Sequence, residues 1–230
     1  HHIHAHDGKY PSKYVDYASQ LGVAPIVMFT GYFQTERYFA KYSSEIRDMF
    51  LGVFSASDHD DPVYHKTAFI HVRGRDRVSP DNDMHSLRDD DEYYERCISM
   101  FPAGSKFLMF TDDPSYLKDR VFKKKIVYEV ASANELDSLL AMSRCELGGI
   151  CTNSTFSWWG SYVNFNRGKI VTMPYPFLRN AEFTDIYYPG VTVVQKEPGC
   201  FDDVLSVRRH GDRCNRVEGR DASPSLHRNV

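Results

Sequence analysis

Between residues 67 and 174 five short apolar runs alternate with stretches of helical character, and this alternation constrains the fold more than any other feature of the chain. The runs cover 67–72, 106–111, 125–130, 147–152 and 169–173. Each is apolar at consecutive rather than alternate positions, the pattern of a strand covered on both faces. Between them lie 92–101, a short turn of helix from Pro114, the segment from Ser132, and 155–165. The third is the clearest: Ser132 and Glu135 form a capping-box pair, and Leu136, Leu139, Leu140 and Ser143 follow on one face. A β-α-β-α-β-α-β-α-β order predicts right-handed crossovers and an α/β fold with a parallel sheet between helices. Such sheets bind ligands beyond the carboxyl ends of their strands, here the loops at 72–80, 111–114, 130–133 and 152–156.

The flanks are less regular. Residues 35–50 read as one amphipathic helix, with Tyr38, Phe39, Tyr42, Ile46, Met49 and Phe50 at helical spacing. Residues 1–65 are few for an independent α/β domain and read as a partial N-terminal region. Residues 66–195 form the sheet domain, and the polar 196–230 read as a mobile tail. The opening His1, His2, His4, His6 and Asp7 read as a surface or tag-like cluster rather than a metal site, since no apolar strand precedes them.

Composition closes off several classes. With 28 basic against 31 acidic residues and a net charge of -3, the chain of 230 residues lacks the basic footprint of a duplex-binding protein, and no nucleic-acid partner is expected. No apolar run approaches the ~20 residues of a membrane-spanning helix; the stretch 23–29 is interrupted by Pro25. Five scattered cysteines without a CxxC pair give neither a disulfide framework nor a zinc signature.

Three strand-end loops carry candidate chemistry. After the first strand, His71-Val72-Arg73-Gly74-Arg75-Asp76 can present guanidinium forks to phosphate oxygens, or form a solvated loop with Asp76 as counter-ion. After the second, Asp112 and Asp113 could hold a divalent metal, accept hydrogen bonds from a base or ribose, or cap a helix beginning at Pro114. After the fourth, Thr152-Asn153-Ser154-Thr155-Phe156-Ser157 leads into a helix whose exposed N–H groups and hydroxyls suit an anion. Trp158 and Trp159 follow, the two tryptophans of the chain. Asn153-Ser154-Thr155 is formally a glycosylation sequon, but a strand-to-helix junction is a poor acceptor.

Taken in order, Gly31-Tyr32-Phe33-Gln34, Arg37-Tyr38-Phe39, His71-Val72-Arg73 with Asp76, Tyr93-Tyr94, Phe110-Thr111-Asp112-Asp113, Leu140-Ala141-Met142-Ser143-Arg144-Cys145 and Asn153-Ser154-Thr155-Phe156-Ser157-Trp158-Trp159-Gly160 resemble the α-1,2-fucosyltransferase family (glycosyltransferase family 11). The match runs from about residue 31 to 178, and its last motif is the most specific. The resemblance implies a Rossmann-like, GT-B-like donor domain that moves L-fucose from GDP-fucose to the 2-hydroxyl of a galactose-containing glycan, with inversion, no cofactor and no required metal.

By the same resemblance Arg73 binds the GDP β-phosphate, with His71, Arg75 and Asp76 in its motif. Asn153, Ser154, Thr155, Phe156 and Ser157 form the phosphate- or ribose-contacting segment, and Asp112 or Asp113 lies near the guanosine. A general base is sought in the acidic stretch after the arginine loop, with Asp81 and His85 the leading candidates and Asp83 a third. Two departures stand out: Gly74-Arg75 inverts the family's Arg-Gly order, and the family's Gly-Gly-Leu-Gly-Asn-Gln-Met-Phe segment is absent, so the acceptor-side part is expected to be truncated. Three rivals follow: another metal-independent GDP-fucose transferase of the core or protein O-fucosyl kind, a sugar-nucleotide-binding protein that has lost catalysis, and a metal-dependent transferase using Asp112 and Asp113. Localisation is left open, since animal members are anchored in the Golgi through an N-terminal segment and bacterial members are cytoplasmic.

Overall fold

Consecutive apolar residues put side chains on both faces of a strand, so the strands of this chain need helices on both sides. The structure, a computed structural model, describes residues 2–4, 14–17, 19, 28–30, 32–52, 61–74, 91–118, 120, 122–131, 133–178, 185–195 and 204–206. Its main sheet contains β3 (Thr67–Val72), β4 (Lys106–Thr111), β5 (Tyr128–Val130), β6 (Gly148–Ile150), β7 (Ile170–Tyr175), β8 (Thr192–Gln195) and β9 (Val204–Ser206). Their order is β5-β4-β3-β6-β7-β8-β9. All pairings from β5 to β8 are parallel, and β9 closes the edge antiparallel to β8. The α/β, Rossmann-like expectation is met. Counted from β3, the parallel strands lie in the order 3-2-1-4-5-6, with the reversal of direction between β3 and β6, which is where such sheets open a binding crevice.

The alternation along β3 divides the core. Ala68, Ile70 and Val72 face a layer with Tyr93, Tyr94 and Cys97 from α2 (Asp91–Ile98). Phe69 faces the opposite layer, with Met142 from α3 (Glu135–Arg144) and Trp158 and Tyr162 from α4 (Thr155–Tyr162). Helices α3 and α4 approach closely at Gly160, where a Cβ would stand 2.8 Å from that of Met142. Asn164 locks the pair by donating from Nδ2 to the carbonyls of Met142 and Cys145, at 3.2 and 2.8 Å.

Several boundaries move from their sequence-based positions. Residues 122–125, Phe-Lys-Lys-Lys, form a 3-10 turn, so β5 begins at Tyr128. Helix α3 takes its cap from Asn134, whose Oδ1 accepts from the Asp137 N–H at 2.9 Å, while Ser132 lies outside the described residues. No helix follows Pro114: residues 114–118 are turns, tied by Asp113. The expected single helix over 35–50 is two 3-10 turns, Glu36–Tyr38 and Ala40–Tyr42, followed by α1 (Ser43–Gly52). The break falls at Phe39, at φ -136°, whose ring stacks on Trp159 at 5.3 Å. Tertiary packing has overridden helical continuity there.

Three strands come from segments read as irregular. Residues 204–206, within the expected tail, add β9, and the amino end forms β1 (His2–His4), which pairs parallel with β2 (Met28–Thr30). The histidine-bearing start therefore contributes backbone pairing to the fold at residues 2–4. The described part of the N-terminal region is fastened to the sheet domain through Arg37, whose Nη1 pairs with Asp185 Oδ2 at 3.2 Å, and through the Tyr14 N–H, which donates to the same oxygen at 2.5 Å.

Candidate active site

The switch point between β3 and β6 gathers three of the expected loops at one edge of the sheet. Arg73 and Gly74 continue β3, Asp112 and Asp113 continue β4, and residues 151–154 connect β6 to α4. In-register pairing of β3 with β4, which sets Val72 opposite Thr111, brings the first two loops side by side. Arg73 Nε lies 3.5 Å from Asp112 Oδ2, and the Gly74 N–H donates to Asp112 Oδ1 at 2.7 Å. One carboxylate thus fixes both the guanidinium and the backbone of the arginine loop. The pair is about one-third exposed, 34% for Arg73 and 29% for Asp112, so an incoming anion can reach it.

The neighbouring carboxylate does something else. Asp113 Oδ1 accepts from the N–H groups of Ser115 and Tyr116, at 3.0 and 3.2 Å, and from the Ser115 hydroxyl. This is the local turn-capping role of Asp before Pro. Asp112 and Asp113 therefore turn to different partners, an arrangement that favours the capping reading of Asp113 over a shared metal. Gly74 sits where a Cβ would stand 2.6 Å from that of Asp113, so glycine at this position is a packing requirement, and the Gly74-Arg75 order serves it.

On the other side of the crevice Ser154 is the N-cap of α4. Its φ and ψ are -135° and 133°, and its Oγ accepts from the Phe156 N–H at 3.3 Å. The remaining first-turn N–H groups lack partners within the helix, as in every α-helix, and concentrate partial positive charge. Asn153, Ser154 and Ser157 are all buried. The Ser157 hydroxyl donates back to the Ser154 carbonyl at 3.3 Å, so it shapes the turn from within. Burial of Asn153 agrees with rejecting the sequon. Thr155 and Phe156 are more exposed, and the Phe156 ring lies 5.5 Å from that of His71, itself buried beneath the crevice.

Two tyrosines of α2 brace the site from below. Tyr93 donates from its hydroxyl to the Cys151 carbonyl at 2.6 Å, and Tyr94 to the His71 carbonyl at 3.2 Å. They hold the ends of β6 and β3, the two strands that flank the crevice. Burial drives the Tyr93 hydroxyl far above its ordinary pKa, so it remains a donor. The Tyr93-Tyr94 motif was visible in the sequence, but its supporting role depends on a long-range contact. Arg75, Asp76, Asp81, Asp83 and His85 lie outside the described residues.

Two cavities flank the start of α4. One, about 430 Å³ and almost wholly apolar, is lined by Ile46, Phe50, Leu139, Thr155, Phe156 and Trp159. The other, about 240 Å³, lies between residues 32–39 and α4 and has Gln34 and Thr155 among aromatic walls. Sequence reading assigned residues 32–34 no role beyond the resemblance. Among the described residues no helix is long and apolar enough to cross a membrane.

An O-antigen biosynthesis glycosyltransferase, WbnK of Escherichia coli, is 27% identical over 150 residues, covering 56% of this chain and 49% of that protein. An alpha-1,2-colitosyltransferase of Escherichia coli is 27% identical over 170 residues, covering 68% of this chain and 58% of that protein. The chain spans about half the length of these relatives, and both are bacterial, so neither speaks for a Golgi setting. No solved structure matches. The family model for glycosyl transferase family 11 matches residues 8–192, most of the chain and all of the crevice just described: the chain belongs to that family.

Proposed function

We propose that this chain is the donor-binding part of an inverting glycosyltransferase that carries L-fucose from GDP-fucose to the 2-hydroxyl of a galactoside. The observation that carries this reading is the switch-point crevice, which has the Arg73–Asp112 pair on one side and the Ser154-capped start of α4 on the other. A nucleoside diphosphate laid across it would exchange the Asp112 carboxylate for phosphate oxygens at Arg73 and meet the N–H groups of α4 with its second phosphate. In the transfer, the acceptor oxygen forms a bond to the anomeric carbon as the bond from that carbon to the β-phosphate oxygen breaks. The electron pair leaves with GDP, and the acceptor proton passes to a base, for which Asp81 and His85 are the candidates. Negative charge grows on the leaving diphosphate, and fixed dipoles with an arginine oppose it without solvent reorganisation. In this reading the charge is met by Arg73 and the helix terminus, and no metal is needed.

The relative named for colitosyl transfer supports a second donor in the same crevice, one bearing colitose. Calorimetry with GDP, GDP-fucose and a colitosyl donor, with and without EDTA, separates these readings. Tight GDP binding that is insensitive to EDTA is the expected result. No GDP binding would sink the fucosyl reading, and EDTA-sensitive turnover would favour a metal-dependent transferase. Binding without transfer to any galactoside would favour a protein that has lost catalysis, whereas transfer only to a core glycan or a protein hydroxyl would favour those fucosyl classes. Arg73→Ala should abolish GDP-fucose turnover with an unchanged melting temperature; near-normal turnover would refute the assignment.

A further inference from the structure

We infer that the cavity between residues 32–39 and α4 binds one neutral pyranose ring, the terminal galactose of the acceptor. The inference rests on the proposed transfer reaction for the ligand's identity, but its physical basis is separate. At about 240 Å³ the cavity is smaller than drug-sized sites and has room for a single ring. Among the described residues no charged side chain lines it, a lining that does not suit a phosphate. Its walls are aromatic, from Tyr32, Phe33, Phe39, Trp158 and Trp159, and Gln34 brings an amide to them. A sugar ring presents an apolar C–H face with hydroxyls at its edge, and flat rings with an amide at the margin match both.

The walls are held in place before any ligand arrives. Trp158 donates from Nε1 to the Ile186 carbonyl at 2.7 Å, and Phe39 stacks on Trp159 at 5.3 Å while standing nearly perpendicular to Trp158 and Tyr162. Phe33 occupies the left-handed region at φ 49°, a costly conformation for a bulky residue, and its carbonyl accepts from the Thr35 N–H at 2.9 Å. That strained turn sets Tyr32 at the rim, 59% exposed. Position decides between donor and acceptor sugar. Thr155, the first residue of α4, lines the cavity and directly follows the N-cap that faces the proposed diphosphate. The opposite wall comes from a segment that precedes the sheet, so a ring bound here approaches the donor from outside the nucleotide crevice.

Trp158 and Trp159 are the two tryptophans of the chain and both line the cavity, so intrinsic fluorescence reports its occupancy. The full chain, saturated with GDP, is titrated with methyl β-D-galactopyranoside and followed by tryptophan emission and saturation-transfer NMR. Saturable binding is expected, weakened at least tenfold in Tyr32→Ala and in Gln34→Ala, with GDP affinity from calorimetry within twofold of wild type. Tyr32 is exposed enough for its truncation to spare the core, and melting temperatures verify folding of both variants. Binding unaffected by either substitution, absence of galactoside binding, or displacement of the galactoside by GDP-fucose but not GDP would overturn the inference. Loss of GDP binding alone would count against the donor reading, while the galactoside titration still decides the cavity.

Discussion

Single residues at the crevice show how far local chemistry could be read ahead. Asp before Pro signals a turn cap, and Asp113 caps the turn at 115–116, although the helix expected beyond it does not form. Asp112 was open between metal ligand, base contact and cap; its choice of Arg73 and the Gly74 N–H depends on the alignment of β3 with β4, which no local pattern contains. The Gly74-Arg75 order looked like a defect, yet the close approach to Asp113 explains it. Gly74→Ala therefore places a Cβ 2.6 Å from the Asp113 Cβ and 3.2 Å from that of Tyr116. Relief requires the loop to move, at a cost of about 1–3 kcal/mol typical of overpacking. A lower urea midpoint with an unchanged m-value, together with weaker GDP binding, is expected. An alanine variant as stable and as tight as wild type would show that the loop yields freely.

At the level of elements, strands were legible where apolar residues ran together and helices where capping and periodicity agreed. Strands β3 and β4 begin and end where the apolar runs do, since both are buried on two faces. The ends of β5 and β6 were less defined, because lysines precede one and Gly148, at φ 86°, opens the other. What no run could reveal is the brace beneath the site. Tyr93 is fully buried and its hydroxyl reaches the Cys151 carbonyl across 58 residues of sequence. In Tyr93→Phe that carbonyl loses a buried donor, which costs about 1–3 kcal/mol. The end of β6 and the start of α4 should loosen with it. Chemical denaturation should show the stability loss, and calorimetry a several-fold loss of GDP affinity. Tyr94→Phe, which removes a longer bond of 3.2 Å to His71, should cost less. Equal losses in the two variants would argue against a specific hold on β6.

Over the whole molecule the sheet domain was legible in its class and direction of strands, while its strand order and its union with the N-terminal region rest on contacts between distant residues such as Arg37 and Asp185. The same distant packing buries titratable groups, and their balance fixes the pH profile of stability. Lys169 donates from Nζ to the carbonyls of Ser161 and Asn164 where α4 runs toward β7, and burial, aided by Arg47, lowers its pKa from 10.5 to about 8. Between those values the unfolded chain keeps a proton that the folded chain has released, so this lysine makes stability rise with pH from about 8 toward 10.5. The thiols of Cys97 and Cys151 act in the opposite sense. Burial raises both from 9.0 to about 12, so above pH 9 the unfolded chain ionises first and stability falls. Tyr93 and Tyr188, raised by burial above the ordinary 10.0, steepen that fall from about pH 10. Stability measured by urea unfolding should thus climb from pH 8 to a maximum near pH 9 and then decline. In Lys169→Met the climb should vanish and the decline remain, so that the difference between wild type and variant moves in favour of wild type as pH rises through 8. A difference that stays flat across this range would mean that Lys169 carries an ordinary pKa in the folded chain, and that its two carbonyl bonds fully offset its burial.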